Sequence, residues 1–231
     1  MSPQRRPSVV LVGPPGAGKT TVGRALARRM GLPFTDIDAI IVERAGKSIA
    51  DLFTDDGEDV FRDLERTVVA EALEATEGVL ALGGGSVLAA ETRERLRGHR
   101  VVYLTVGLAD GIRRTGMSGV RPLLAGVNPR ATFRALLDAR APLYREVAAY
   151  EIDTSRLSAG QVVRAVLVAL GEPSGPEDQD DQDDVLDDAT LHDEPLLPSP
   201  TFGRPPSDHD NNGDYHSDHD NSDTGDTASA K

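Results

Sequence analysis

The chain has 231 residues, with 38 Asp+Glu against 25 Lys+Arg, a formal net charge of −13 and no cysteine. The missing cysteines exclude disulfides and thiolate chemistry and fit a reducing cytoplasmic setting, and no stretch approaches the roughly 20 apolar residues of a membrane-spanning helix. The charge is concentrated: residues 172–231 hold 18 acidic residues and two basic ones, Arg204 and Lys231, a net −16, which leaves 20 acidic and 23 basic residues, a net +3, in 1–171.

A segment of this size suits one domain with a sizeable core, burying roughly 70% of its unfolded surface. Its slight basic excess suits a small anionic substrate and gives no reason to expect a nucleic-acid or membrane partner. Residues 8–12, Ser-Val-Val-Leu-Val, read as a buried strand. Residues 13–20, Gly-Pro-Pro-Gly-Ala-Gly-Lys-Thr, fit the phosphate-binding pattern G-x-x-x-x-G-K-[ST] without a mismatch, and 19–30 read as the following helix. In such a loop the backbone N–H groups around Gly16, Ala17, Gly18 and Thr21 face phosphate oxygens at the positive end of the helix. Lys19 reaches the β- and γ-phosphates, and Thr20 offers a hydroxyl to Mg²⁺. The chain is therefore read as binding a nucleoside triphosphate, with ATP and magnesium as the implied cosubstrate and cofactor.

A strand at 32–35 ends at Asp36-Ile37-Asp38. If the chain is extended there, both carboxylates point to one side, one for magnesium-bound water and one to orient an attacking hydroxyl. The competing reading is a helix N-cap at Asp38. Helices follow at 38–45, 48–53 and 58–76. On the last, Arg62 and Glu65 are three apart, which by spacing alone is an exposed pair contributing about 0.2–0.5 kcal/mol. A strand at 79–82 runs into Gly83-Gly84-Gly85-Ser86, glycines that invite close approach of a ligand to backbone.

Further on, a helix is read at 89–97, a strand at 101–105, helices at 108–115 and 129–145, a strand at 150–153 and a helix at 159–170. The segment 116–128 carries Arg121-Pro122 among Gly116, Gly119 and Gly126, either a mobile flap bringing a cation over the nucleotide or a plain surface loop. Arg140, where a helix nears Pro142, looks like another surface residue by pattern alone. The alternation of strands and helices predicts a doubly wound α/β domain with a parallel sheet, ligands gathering at the C-terminal strand ends. Residues 172–231 are poor in aromatics and rich in Asp, Pro, Gly, Asn and Ser, and are read as a disordered acidic tail. The near-repeat at 207–211 and 217–221, Ser-Asp-His-Asp-Asn, offers either metal binding or a solvated tail.

The segments GPPGAGKT, FTDID, SIADLF…GE…FRDLE, ALGGGSV, VVYL, RRTG…VRPLL and RAPLY, in this order and spacing, resemble shikimate kinase over residues 8 to about 170. The resemblance implies a five-stranded parallel sheet of order 2-3-1-4-5, in the nucleoside monophosphate kinase class of P-loop NTPases. It also implies transfer of the γ-phosphate of ATP to the 3-hydroxyl of shikimate, on the route to aromatic amino acids, by a cytoplasmic monomer using one Mg²⁺. Asp38 then matches the carboxylate at the shikimate hydroxyls and the acceptor base, and Asp36 the one reaching the magnesium's water. Arg62 and Arg140 match a pair gripping the substrate carboxylate. Glu65 matches a substrate-side polar contact that also orients the arginine, and Gly83, Gly84 and Gly85 match backbone contacts to shikimate. Arg121 matches the arginine over the transferring phosphate, and Arg114 one stacking on adenine. Where the family carries an Arg and a Pro near the adenine, this chain has Leu157 and Ala159, with Arg156 substituting one position earlier. A kinase for another metabolite, such as gluconate, would share the phosphate loop but lack the paired arginines. A nucleotide switch with the acidic tail as output would leave the acceptor-side residues unused.

Overall fold

Five strands, β1 (Val9–Val12), β2 (Phe34–Asp36), β3 (Val79–Ala81), β4 (Val101–Thr105) and β5 (Tyr150–Asp153), form one parallel sheet in the order β2-β3-β1-β4-β5. The computed structural model describes residues 7–115 and 128–173, which lie within a unit spanning Met1–His192. The segment 116–127, with Arg121, and the acidic tail beyond 173 fall outside the described residues.

Each strand feeds a helical stretch: α1 (Lys19–Met30) after β1, and α2 (Ile37–Ala45), α3 (Ile49–Asp51), a π-helical turn (Leu52–Asp56) and α4 (Gly57–Ala75) after β2. A 3₁₀ turn (Ser86–Leu88) and α5 (Ala90–Leu96) follow β3, α6 (Leu108–Arg114) and α7 (Pro129–Val147) follow β4, and α8 (Ala159–Leu170) follows β5. Successive strand residues point to opposite faces of a sheet, and the core divides accordingly. Val10, Val12, Leu80, Leu82 and Tyr103 pack with Ile37, Ile41, Phe61, Val68 and Tyr144 on one face. Val9, Leu11, Val79, Val102 and Leu104 pack with Val22, Leu26, Val162 and Val166 of α1 and α8 on the other. The sheet is thus covered on both faces, which is why β1 reads as an unbroken apolar run.

Two differences from the sequence reading have local causes. The second strand begins at Phe34 rather than at 32 because the Leu32 N–H is taken by the Ala27 carbonyl in closing α1. Only from Pro33, whose carbonyl accepts the Val79 N–H at 2.9 Å, does the chain join the sheet. The helix read at 48–53 is one α-helical turn followed by a π-helical one, a wider winding that brings Phe53 against Phe61, centroids 4.6 Å apart. In α1, Gly23 is required by packing: a Cβ there would lie 2.4 Å from Cε2 of Phe34 and 3.2 Å from Cδ1 of Leu11. Among the described residues, no helix is long and apolar enough to cross a membrane.

Candidate active site

The phosphate loop leaves β1 at Gly13, and its turns are built on glycines that no other residue would replace without strain. Gly16 and Gly18 have φ of 76° and 84°, in the left-handed region. A Cβ on Gly13 would lie 2.3 Å from the Leu104 carbonyl oxygen, and one on Gly16 2.7 Å from that of Gly111. The loop is therefore pressed onto β4 and α6. Gly18 caps α1, and the Lys19 ammonium donates to the carbonyls of Gly13 (2.9 Å) and Pro14 (3.1 Å), which holds it over the loop.

At the end of β2, the two aspartates do not lie on an extended segment. Asp36 closes the strand and is itself the N-cap of α2, its Oδ1 accepting the Asp38 N–H at 3.0 Å, while Asp38 sits in the first helical turn. The expectation of an extended Asp36–Asp38 pair, and of an N-cap at Asp38, is corrected here. The cap is two residues earlier because Asp36 has the extended conformation (φ −115°, ψ 122°) a cap needs. The other oxygen of Asp36 accepts from the Thr20 hydroxyl at 2.7 Å, which joins the strand end to the phosphate loop. A hydroxyl and a carboxylate oxygen side by side at the first turn of α1 are the hard oxygen donors that suit Mg²⁺.

The triple glycine after β3 is where the residues expected on the acceptor side meet. A Cβ on Gly83 would lie 2.7 Å from Oε1 of Glu65 and 2.8 Å from Oδ1 of Asp38, so those two carboxylates face the same backbone atom. A Cβ on Gly85 would lie 2.2 Å from Nη1 of Arg62. One on Gly84 would meet Cδ of Pro15 at 3.2 Å, so this loop also touches the phosphate loop. Residues 83–85 are thus bare backbone because side chains from α2, α4 and the phosphate loop occupy the room a Cβ would need.

Arg62 and Glu65 are not the exposed pair their spacing suggests. Glu65 is 3% exposed and lies on the apolar stripe of α4 with Phe61, Val68 and Val69. Its Oε2 accepts from Nη1 of Arg62 at 2.6 Å, and its Oε1 accepts from the Ser86 hydroxyl at 2.7 Å. The Arg62 guanidinium also donates to Glu58 at 3.1 and 3.2 Å and lies 5.9 and 5.1 Å from the ring centroids of Phe53 and Phe61. Arg140, on α7, donates from Nη1 to the Gly84 carbonyl at 3.0 Å, so it too is turned toward the loop. Beside it the buried Tyr144 hydroxyl donates to the same carbonyl at 2.5 Å, and burial pushes its phenol far above the ordinary tyrosine value, so it stays a donor. Sequence reading missed Ser86 and Tyr144; Tyr144, four residues after Arg140, shares its helix face.

On the β4–β5 side, Arg114 donates to Oγ1 of Thr154 (3.0 Å) and to its carbonyl (2.7 Å), tying α6 to the loop after β5. In that loop the Asp153 carboxylate accepts the Ser155 N–H at 2.9 Å, which holds its pKa below the usual carboxylate value, and the Ser155 hydroxyl accepts the Gly107 N–H at 2.8 Å. Arg156 is exposed and is the one non-glycine residue of positive φ, 61°, among the described residues; Leu157 beside it is 37% exposed. The structure therefore gathers Lys19, Thr20 and Asp36 at one place, and Asp38, Arg62, Glu65 and Arg140 around Gly83–Gly85. Arg114 and Arg156 belong to a third group at the β5–α8 loop, and Arg121 lies outside the described residues.

The chain is similar to known proteins of one family. The family model described as Shikimate kinase matches residues 15–171. The chain is 60% identical over 161 residues to the shikimate kinase of Saccharopolyspora erythraea, covering 70% of this chain and 92% of that protein. Among solved structures it is similar to shikimate kinase from Acinetobacter baumannii in complex with shikimate, with 42% identity and a TM-score of 0.68 over 71% of this chain and 92% of that one. It is also similar to the shikimate kinase of Bacteroides thetaiotaomicron, with 33% identity and a TM-score of 0.64 over 71% and 97%.

Proposed function

The chain belongs to the shikimate kinase family, and from that premise we propose how its residues divide the work of the reaction. The reaction is phosphorylation of the 3-hydroxyl of shikimate by ATP, giving 3-phosphoshikimate and ADP, in the pathway to aromatic amino acids. The observation that carries the assignment of roles is the meeting of phosphate loop and acceptor residues on one glycine backbone, with Pro15 against Gly84 and Asp38, Glu65 and Arg62 packed around Gly83 and Gly85.

On the donor side, the backbone N–H groups of Gly16, Ala17, Gly18, Lys19, Thr20 and Thr21 and the Lys19 ammonium bind the triphosphate. Thr20 and Asp36, already 2.7 Å apart, are the oxygens that would hold one Mg²⁺, Asp36 through water. The bound ion would supply charge neutralisation at the β- and γ-phosphates. Few protein ligands suffice for magnesium, which is commonly held by one or two protein oxygens, phosphate oxygens and water. Arg114 has its guanidinium edge committed to Thr154, which leaves a planar face to stack on adenine. Arg156 lies in the same loop. Arg121 is assigned the cation over the transferring phosphoryl group.

On the acceptor side, Arg62 and Arg140 take the shikimate carboxylate, for which a planar guanidinium is shaped. Both oxygens of Glu65 are used within the protein, by Arg62 and Ser86, so its main task is to hold Arg62 in place. Gly83, Gly84 and Gly85 admit the ring to the backbone. Asp38 accepts from the ring hydroxyls and aligns the attacking one. Positioning and electrostatics do most of the work in such transfers, since the loose transition state asks for little covalent chemistry from the protein.

Residues 1–171 form the kinase unit, supported by the family match ending at 171, and 172–231 an accessory acidic extension whose partner is not assigned. The enzyme acts as a cytoplasmic monomer. A coupled ADP-release assay against a panel of hydroxylated carboxylic acids tests the reading. Shikimate is expected to be the preferred acceptor by a wide margin; equal turnover of an open-chain acid such as gluconate would overturn the acceptor assignment.

A further inference from the structure

We infer that Tyr144 is a positioning residue for substrate capture, acting through Gly84 and Arg140. The inference rests on the reading of Arg140 as a partner of the substrate carboxylate. The Gly84 carbonyl receives two donors, Nη1 of Arg140 at 3.0 Å and the Tyr144 hydroxyl at 2.5 Å, both from one face of α7. A carbonyl oxygen has two lone pairs, so the pair saturates it. Tyr144 is fully buried and its ring lies against Tyr103, centroids 4.9 Å apart and interplanar angle 27°, so the hydroxyl has little freedom to move.

Two consequences follow from this geometry. First, with one lone pair taken by the phenol, a single N–H of Arg140 completes the carbonyl, and the remaining donors of the guanidinium are left for a ligand. Second, the Gly84–Gly85 peptide is planar and trans, so turning its carbonyl toward α7 turns the Gly85 N–H the opposite way. Residue 85 is where the Arg62 guanidinium packs. The phenol therefore sets both the donor geometry of Arg140 and the tilt of the backbone beside Arg62. A buried tyrosine that only filled space would need some acceptor for its hydroxyl, but not the one carbonyl shared with a substrate-facing arginine.

The test is a double-mutant cycle in the full chain, with Tyr144→Phe, Arg140→Ala and the combination, and Tyr103→Phe as a control that alters the same stack without touching Gly84. Tyr144→Phe is expected to raise the shikimate KM by about three- to tenfold, the worth of one hydrogen bond, with the ATP KM and kcat within about twofold. Tyr103→Phe is expected to leave the shikimate KM unchanged. In the double variant the two losses are expected to be non-additive, since the phenol acts through the arginine. An unchanged shikimate KM in Tyr144→Phe, fully additive losses, or an equal rise in Tyr103→Phe overturns the inference. An unchanged shikimate KM in Arg140→Ala would instead overturn the reading of Arg140 on which it rests.

Discussion

Gly85→Ala should disable the proposed carboxylate clamp while sparing the fold. Gly85 has φ −102° and ψ −9°, a conformation alanine adopts without strain. The added methyl, however, would fall 2.2 Å from Nη1 of Arg62 and 2.8 Å from both Cζ and Nη2. Ordinary contact begins near 3.4 Å, so the guanidinium must retreat by roughly 1 Å, a shift that can by itself cost about a hundredfold in a catalytic site. The retreating group is the end of a flexible side chain, so backbone strain is small. A charge-assisted hydrogen bond contributes about 1.5–3 kcal/mol, and loss of one predicts a rise of about 10- to 150-fold in the shikimate KM. The ATP KM should stay within about twofold, because the nearest phosphate-loop atom, Cδ of Pro15, packs on Gly84 instead. The assay is steady-state kinetics with each substrate varied, together with thermal melting to establish folding. A folded Gly85→Ala enzyme with normal shikimate KM would refute the claim that Arg62 works from the space beside residue 85.

Asp38→Asn should leave ATP binding nearly intact, measured by titration calorimetry, while turnover falls by about a hundredfold or more; near-normal turnover would remove Asp38 from the chemistry. Ser86→Ala leaves one oxygen of the buried Glu65 without its donor, and should cost about 1–3 kcal/mol in denaturant unfolding and raise the shikimate KM more than the ATP KM as Arg62 loosens. Asp153 has a folded pKa below the ordinary value, so its contribution to stability is present above the unfolded pKa of about 3.9 and is lost as pH falls through the lower folded one. Melting of Asp153→Asn against the parent from pH 6 downward should therefore show a gap that closes in acid; a gap that widens would reverse the sign and refute the account.

The sheet was legible in the sequence because buried parallel strands such as β1 and β4 are short Val- and Leu-rich runs between helices. The phosphate loop was legible because its chemistry is local. The acceptor side was not, by spacing alone. Arg62 and Glu65 look like a surface pair until α4 is docked, although Glu65, four residues after Phe61, already stands on the apolar stripe. What turns Arg140 inward is the Gly84 carbonyl, 56 positions away in the chain. For these residues the resemblance to shikimate kinase supplied what the local pattern withheld. Asp36 and Asp38 show the converse: the pair stood out in the sequence, but the helix starts so early that one caps the other rather than lying alongside it.

The seam at which Pro15 rests against Gly84 has a consequence for ligand design. Because the phosphate loop and the Gly83–Gly85 loop touch there, a single inhibitor reaching from one to the other would need only a short spacer. Its selectivity would come from the ring-acid end, because phosphate loops of this kind are common to many unrelated enzymes.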